Sequence, residues 1–139
     1  MNTQITPLLD GNGVGSVATL LEDGRPWSTP LHLAFDEENV YWLSVSDCQH
    51  SLNIAQRPVV SIAIWSPDRS QGLKGAYIQT VARPLDGRDA ERGRQAYIKD
   101  FCAVPAALAD AVVYGAPIGE KSTTRSRGNT HYFFADKKL

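Results

Sequence analysis

The residue types that most often carry chemistry are few and widely separated in this sequence. Three histidines, His32, His50 and His131, lie in different segments, with neither HxH nor HxxxH spacing. A metal site needs several ligands that converge on one ion, so this spacing does not indicate one. Two cysteines, Cys48 and Cys102, are too few for a disulfide framework or a zinc cluster. We expect reduced thiols in a cytoplasmic protein. The GxSxG nucleophile elbow is also missing from the sequence, which disfavours a hydrolase.

Two glycine-containing segments come close to phosphate-binding loops. Gly11–Ser16 (GNGVGS) lacks the third glycine of the dinucleotide fingerprint and precedes a predicted strand, whereas that fingerprint follows a strand and begins a helix. Gly115–Ser122 (GAPIGEKS) has Glu120 where a P-loop has glycine, and a carboxylate there would repel phosphate oxygens. We therefore interpret both segments as turns or loops.

Composition predicts one soluble globular domain over residues 1–139, because 42% of the residues are hydrophobic and the length suits a single core. The formal net charge of −1 gives no electrostatic reason to expect nucleic acid or an anionic membrane as partner. No apolar run approaches the ~18 residues of a membrane span. The N-terminal MNTQITPLLDGNG lacks the basic start and long apolar stretch of a signal peptide.

The elements that would position any site are predicted to be strands in the first part of the chain. Val14–Leu21, Trp27–Phe35 and Val40–Val45 are short apolar or alternating runs, separated by the turn signals Asp-Gly and DEEN, and they predict an antiparallel meander. Pro30 cannot donate a backbone hydrogen bond, so its strand needs an edge, a bulge or a ligand at that point. Later strands are predicted at Val59–Trp65, Ala76–Pro84 and His131–Ala135.

Helices are predicted in the remaining apolar segments. A short helix starts near Ser46 or Asp47 and ends before Pro58. A longer helix covers Arg88–Phe101, and Ala106–Val113 suits a third short one, while Gly115–Thr130 has the composition of a loop. About six strands and two or three helices, with the hairpins first, predict an α+β fold or a closed barrel, not alternating βαβ units.

The order of short motifs from Ser16 to Leu85 is informative as a set. They are Ala18-Thr19, Asp23–Pro26, Thr29-Pro30, Ser44, Asn53-Ile54 and Pro58–Ser61. This arrangement resembles the pyridoxamine-phosphate-oxidase-like family, the FMN-binding split barrels. The resemblance implies a mainly β fold, a six-stranded antiparallel split β-barrel with two to three helices. It also implies a homodimer that binds FMN non-covalently and acts as an oxidoreductase on a small molecule.

The resemblance also implies a set of cofactor-binding residues. They lie on the strand that lines the flavin ring, around the flavin phosphate, and on the fifth strand. In chain order, these predicted cofactor-binding residues are Ser28, Thr29, Pro30, Ser44, Val45, Cys48, Gln49, His50, Asn53 and Gln79. Cys48 and His50 stand where the family has serine and lysine. Lysine is a permanent cation, whereas histidine, with a reference pKa of ~6.5, is only partly charged at neutral pH.

That departure keeps a second class of function open. A split barrel that has lost flavin chemistry would bind another ligand, such as heme or the deazaflavin F420, or no cofactor at all. True pyridoxamine-phosphate oxidase is disfavoured, because the C-terminal THYFFADKKL lacks the arginine- and histidine-bearing segment of that enzyme.

Overall fold

The computed structural model describes residues 13–66, 68, 70, 73–122 and 128–136. Its strands are β1 (Val14–Leu20), β2 (Pro26–His32), β3 (Ala34–Phe35), β4 (Asn39–Ser44), β5 (Val59–Trp65), β6 (Leu73–Val81), β7 (Arg83–Pro84), β8 (Val112–Pro117), β9 (Glu120–Lys121) and β10 (Thr130–Asp136). The helices are α1 (Gln49–Gln56) and α2 (Gly87–Phe101), with a 3₁₀ turn at Ala106–Leu108.

The strands form two sheets, of orders β2-β1-β5-β6-β10-β9 and β3-β4-β8-β7. The mainly β prediction is confirmed, but the six antiparallel strands predicted for the split β-barrel are not exact. There are ten strands in the described part of the chain, the sheets do not join into a closed barrel there, and β9 pairs with β10 in parallel. The predicted strand Trp27–Phe35 breaks at Leu33, whose backbone N–H donates to the carbonyl of Gly13. The chain there leaves one sheet for the other.

Local signals set most boundaries in the first two-thirds of the chain. Arg57, before Pro58, has extended backbone and donates its N–H to the carbonyl of Asn53, 2.7 Å away, which ends α1 as predicted. The other helix, α2, ends at Cys102, which has a left-handed φ of 68° and donates its N–H to the carbonyl of Ile98. Both helices were therefore predicted nearly in full.

Two predictions in the last third are wrong. The segment predicted as a helix at Ala106–Val113 contains only the 3₁₀ turn followed by the start of β8, and the predicted loop Gly115–Thr130 contains half of β8 and all of β9. Residues 123–127 of that loop lie outside the described part. Pairing with β4 stabilises β8, and Gly115 fits there because a Cβ would lie 2.7 Å from Cδ1 of Leu85. Glycine here allows close packing and does not mark a turn.

Two apolar layers hold these elements. One lies between the sheets and includes the fully buried Val17, Trp42 and Ile62. The other lies between α2 and the smaller sheet, where Gly93 approaches Tyr41 and Val113 so closely that any Cβ would clash. Among the described residues, no helix has the length and apolar character needed to cross a membrane.

Candidate cofactor site

A cleft of about 390 Å³ opens between strand β2, the end of β4, the start of α1 and helix α2. Its volume is in the range of small-molecule and cofactor sites. The residues that line it are Pro30, Leu31, His32, Leu43, Ser44, Val45, Cys48, His50, Tyr97, Pro105 and Leu108. Because β2 is the edge strand of the larger sheet and pairs only with β1 among the described strands, its other edge is free to border a ligand.

One end of the cleft is a compact polar group. Oγ of Ser44 and Nε2 of His50 are 2.8 Å apart, and Sγ of Cys48 lies 3.3 Å from the same nitrogen. The thiol also lies 3.0 Å from the carbonyl oxygen of Val45 and 3.0 Å from Oγ of Ser51. The end of β4 and the first turn of α1 bring these side chains together.

This polar end carries no fixed charge. His50 is 8% exposed, and burial lowers its pKa below the ordinary value, so the imidazole is neutral at neutral pH. No Asp, Glu, Lys or Arg is among the lining residues. In the described part of the chain no three His, Cys, Asp or Glu residues are close enough to hold a metal ion.

The rest of the cleft is apolar and aromatic. Rings of Tyr97 and Phe101 lie 4.7 Å apart, and the ring of Phe101 lies 5.3 Å from that of His32, so α2 and the end of β2 form one wall. Leu43 and Leu108 add aliphatic surface. These lining residues were missed in the sequence. For His32 a signal existed, since it is two residues beyond Pro30 on the same strand and therefore on the same face. Nothing local places Tyr97 or Leu108 here.

Half of the predicted site residues meet in this cleft, namely Pro30, Ser44, Val45, Cys48 and His50. Asn53 instead points into the core. It is 3% exposed, donates to Oγ1 of Thr19 at 2.9 Å and accepts from Nε2 of Gln49 at 2.8 Å. These contacts tie α1 to β1 and so position the first turn of the helix, where Cys48 and His50 lie.

Four other predicted residues also lie outside the cleft lining: Gln49, which is exposed, and Ser28, Thr29 and Gln79. Ser28 and Gln79 point to the outer face of the larger sheet, where Ser28 bonds Ser16 and Gln79 donates to Oγ of Ser61 at 3.0 Å. Thr29 alternates with them and has its Oγ1 buried without a hydrogen-bond partner among the described residues. The structure thus separates the predicted set into a cleft group, a core group and a sheet-face group.

The residues of the cleft show whether FMN would fit there. Its apolar walls suit a planar ring, and at the polar end helix α1 begins at Cys48 with no side-chain cap. The first N–H groups of a helix lack intrahelical acceptors and favour an anion. Hydrogen-bond donors for a phosphate are therefore present, together with the hydroxyl of Ser44. The residues fit FMN, with a neutral imidazole where the family has a cation.

The two sheets and the cleft beside an edge strand define the split-barrel class. The family model described as pyridoxamine 5'-phosphate oxidase matches residues 1–120. The chain therefore belongs to the pyridoxamine 5'-phosphate oxidase-like split-barrel family, and the resemblance seen in the sequence is confirmed. None of the curated proteins matches it.

Several solved structures share the fold. The heme storage protein HutZ from Vibrio cholerae superposes with a TM-score of 0.72 at 16% identity, covering 96% of this chain and 93% of that one. An F420 reductase superposes with a TM-score of 0.65 at 20% identity, covering 84% and 95%. A heme-binding protein from Mycobacterium smegmatis has a TM-score of 0.67 at 23% identity over 74% of this chain, which spans only 45% of that longer one. At these identities the likeness shows the fold.

Proposed function

We propose that the protein binds FMN in the cleft and acts as a flavin-dependent oxidoreductase on a small molecule. The observation that supports this proposal is the cleft itself, which has apolar and aromatic walls at one end and the uncapped start of α1 beside Ser44 at the other. Bound FMN would supply the redox chemistry, as cofactors do in such enzymes.

The chain's own residues would bind and orient the flavin. Pro30 and Leu31 would form one wall for the ring and Tyr97 another, excluding water from between them. The hydroxyl of Ser44 and the first-turn N–H groups of α1 would donate to the phosphate. His50, neutral through burial, would contribute a hydrogen bond and no charge. On this assignment the phosphate contributes less affinity than it would beside a lysine.

The proposal includes a homodimer. The outer face of β1, β5 and β6 has small side chains at its centre, and around them exposed apolar ones: Leu20, Val59, Trp65, Tyr77 and Val81. Several exposed apolar side chains on one face of a sheet are typical of an interface. Pro30 lies opposite Ser16, so its ring is on this face while it also lines the cleft. A second copy against this face would therefore border the cofactor site.

The dimer is tested by sedimentation of the wild type and of Ala63→Arg. Ala63 is half-buried at the centre of that face, opposite Ser16 and Tyr77. A desolvated charge there would disfavour a tight contact, so we expect the variant to sediment as a monomer. Asp23→Arg, on the exposed β1–β2 turn, serves as the control. A monomeric wild type would overturn this part of the proposal.

A heme-binding split barrel is the second candidate, and one observation favours it. The Cys48 thiol and the His50 imidazole both line the cleft, and both groups are of the type that ligates heme iron. That arrangement would need neither a flavin nor a phosphate. The heme-binding and heme-storage proteins among the structural neighbours are consistent with this candidate at the level of the fold.

Two measurements on the native protein distinguish these candidates: mass spectrometry of the ligand that it releases on denaturation, and its visible absorption spectrum. Thermal shifts with FMN, riboflavin, heme and F420 provide a third measurement. A ligand at 100 times its Kd stabilises the folded state by about 2.7 kcal/mol, which is a readily measured shift. We expect FMN to give the largest shift. A colourless protein that FMN does not stabilise would overturn the flavin proposal, and a shift with heme alone would establish the second candidate.

A further inference from the structure

The Cys48 thiol and the His50 imidazole form a close pair, and FMN binding does not use the reactivity of the thiol. Sγ of Cys48 lies 3.3 Å from Nε2 and 3.6 Å from Nδ1 of His50. Cys48 is half-buried and lines the open cleft, so a small molecule that enters the cleft reaches the sulfur. The pair therefore combines a nucleophilic atom, a neighbouring base and access from solvent.

The imidazole of His50 is close enough to Cys48 to act as its base. The thiolate is the reactive form of cysteine, and a neighbouring histidine is a common activator of it. Burial lowers the pKa of His50, which keeps a nitrogen lone pair available at neutral pH. Cys48 is also the residue at which α1 begins, and the partial positive charge of a helix N-terminus favours an anion. Oγ of Ser51, at 3.0 Å, can donate to the sulfur once it is charged.

We propose that Cys48 is a nucleophilic thiol activated by His50, and that it exchanges with low-molecular-weight disulfides that enter the cleft. The imidazole takes the Cys48 proton, and the thiolate attacks one sulfur of the incoming disulfide. The S–S bond of the small molecule breaks as the new S–S bond to Cys48 forms. The departing thiolate leaves with the proton from the imidazolium, so one thiol and one disulfide are present before and after. No further oxidant is needed.

A covalent group on Cys48 would block part of the cleft. A mixed disulfide at Cys48 would place the added group at the polar end of the cleft, which Ser44 and Val45 also line. Modification would then compete with any ligand of that end. The reactivity itself depends only on Cys48, His50 and the cleft, so it can be measured whether or not FMN is the cofactor.

The chain supplies a matched control in Cys102. That thiol is exposed, whereas Cys48 is half-buried, and it follows α2 at the C-terminal end, where the helix dipole disfavours an anion. Access alone would make Cys102 the faster thiol. Activation by His50 makes Cys48 the faster one, so the order of reaction distinguishes the two explanations.

The experiment uses the full-length protein after dialysis has removed any co-purified chromophore. Dithiodipyridine, a neutral aromatic disulfide that suits the apolar cleft, is added in small excess, and released thiopyridone is followed by absorbance. Peptide mass spectrometry assigns each modified cysteine over time. We expect Cys48 to react roughly tenfold or more faster than Cys102, and His50→Gln to slow Cys48 by about that factor while leaving Cys102 unchanged.

Each outcome decides the proposal. Faster reaction of Cys102 in the wild type would overturn it, as would an unchanged Cys48 rate in folded His50→Gln. If that variant does not fold, the order of reaction in the wild type still decides. Cys102→Ser provides the second check, because it should leave the fast phase intact, whereas Cys48→Ser should abolish it. A fast phase that survives in Cys48→Ser would also overturn the proposal.

Discussion

Two polar clusters of the molecule differ in charge: one is built around an ionised carboxylate, and the other contains no charged side chain. At the β3–β4 turn, the Asp36 carboxylate accepts from the hydroxyl of Tyr41 at 2.7 Å, from Arg92 at 2.9 Å and from the backbone N–H groups of Glu38 and Asn39. At the cleft, Ser44 and Cys48 both contact His50, and no charged residue is among the lining residues.

The comparison shows where the charge of this chain acts. The Asp36 cluster orders the β3–β4 turn, and it raises the pKa of Tyr41 to about 12, because burial and the neighbouring carboxylate both disfavour the phenolate. Charge there is matched by several donors, so it stabilises the fold. The cleft cluster contains groups that can gain or lose a proton and that a ligand can reach. Four predictions test this division of roles, ordered from the largest expected effect.

Asp36→Ala should lower the free energy of unfolding by about 2–4 kcal/mol, because it leaves a part-buried hydroxyl and two turn N–H groups without their acceptor. His50→Gln should change it far less, since glutamine can keep a hydrogen bond to Ser44. Urea unfolding measures both. Asp23→Ala is the control, because it removes an exposed carboxylate paired with Arg25. An equal loss in His50→Gln would contradict the comparison.

His50→Lys should tighten FMN binding about tenfold, which is about 1.4 kcal/mol, because it restores a cation beside the phosphate. Affinity for riboflavin, which has the same ring and no phosphate, should stay unchanged. Titration with both flavins, followed by fluorescence, measures the difference. Unchanged or weaker FMN binding would show that the phosphate does not lie at the start of α1.

The contribution of Asp36 to stability should depend on pH. Burial raises the pKa of its carboxyl, but the hydrogen bonds from Tyr41, Glu38 and Asn39 and the charge of Arg92 bring it below the ordinary value of 3.8. A carboxyl with a depressed folded-state pKa stabilises fully above the unfolded-state pKa and loses that effect as the pH falls through the folded-state value.

Unfolding of the wild type and of Asp36→Ala across pH therefore tests this cluster. The difference in free energy of unfolding should be constant from neutral pH to about pH 5 and should shrink below pH 3.8. The same comparison for His50→Gln should change at higher pH, because burial lowers the pKa of His50 in the folded state; the wild type should lose stability relative to the variant as the pH falls below about 6.5. If the difference in free energy of unfolding between wild type and Asp36→Ala persists at the lowest accessible pH, the stabilisation does not depend on ionised Asp36.

Arg92→Met should have the smallest effect. Its guanidinium lies 2.9 Å from Asp36, but the side chain is 49% exposed, and solvent-exposed ion pairs contribute little. We expect a change in urea unfolding close to the resolution of the measurement. A loss as large as that of Asp36→Ala would mean that the ion pair, and not the hydrogen bonds from Tyr41 and the turn, holds the cluster together.

Sequence reasoning was sufficient for elements whose signals are local. Pro58 ends α1, and Pro30 marked a strand that lies at an edge of its sheet and borders a cleft. β8 was missed because its glycine and proline composition is that of a loop. What makes it a strand is pairing with β4 and packing against Leu85, both of which are long-range contacts.

The site divides in the same way. By itself the sequence determined the family, the short helix that begins near Cys48, and the absence of a cation where that helix would face a phosphate. Only the tertiary structure decided which predicted residues meet, and it placed Asn53 in the core and Tyr97 on the cleft wall. The physical reason is that propensity and periodicity act over a few residues. A cleft, by contrast, is the space left between β2, β4, α1 and α2, and its shape depends on how all four pack.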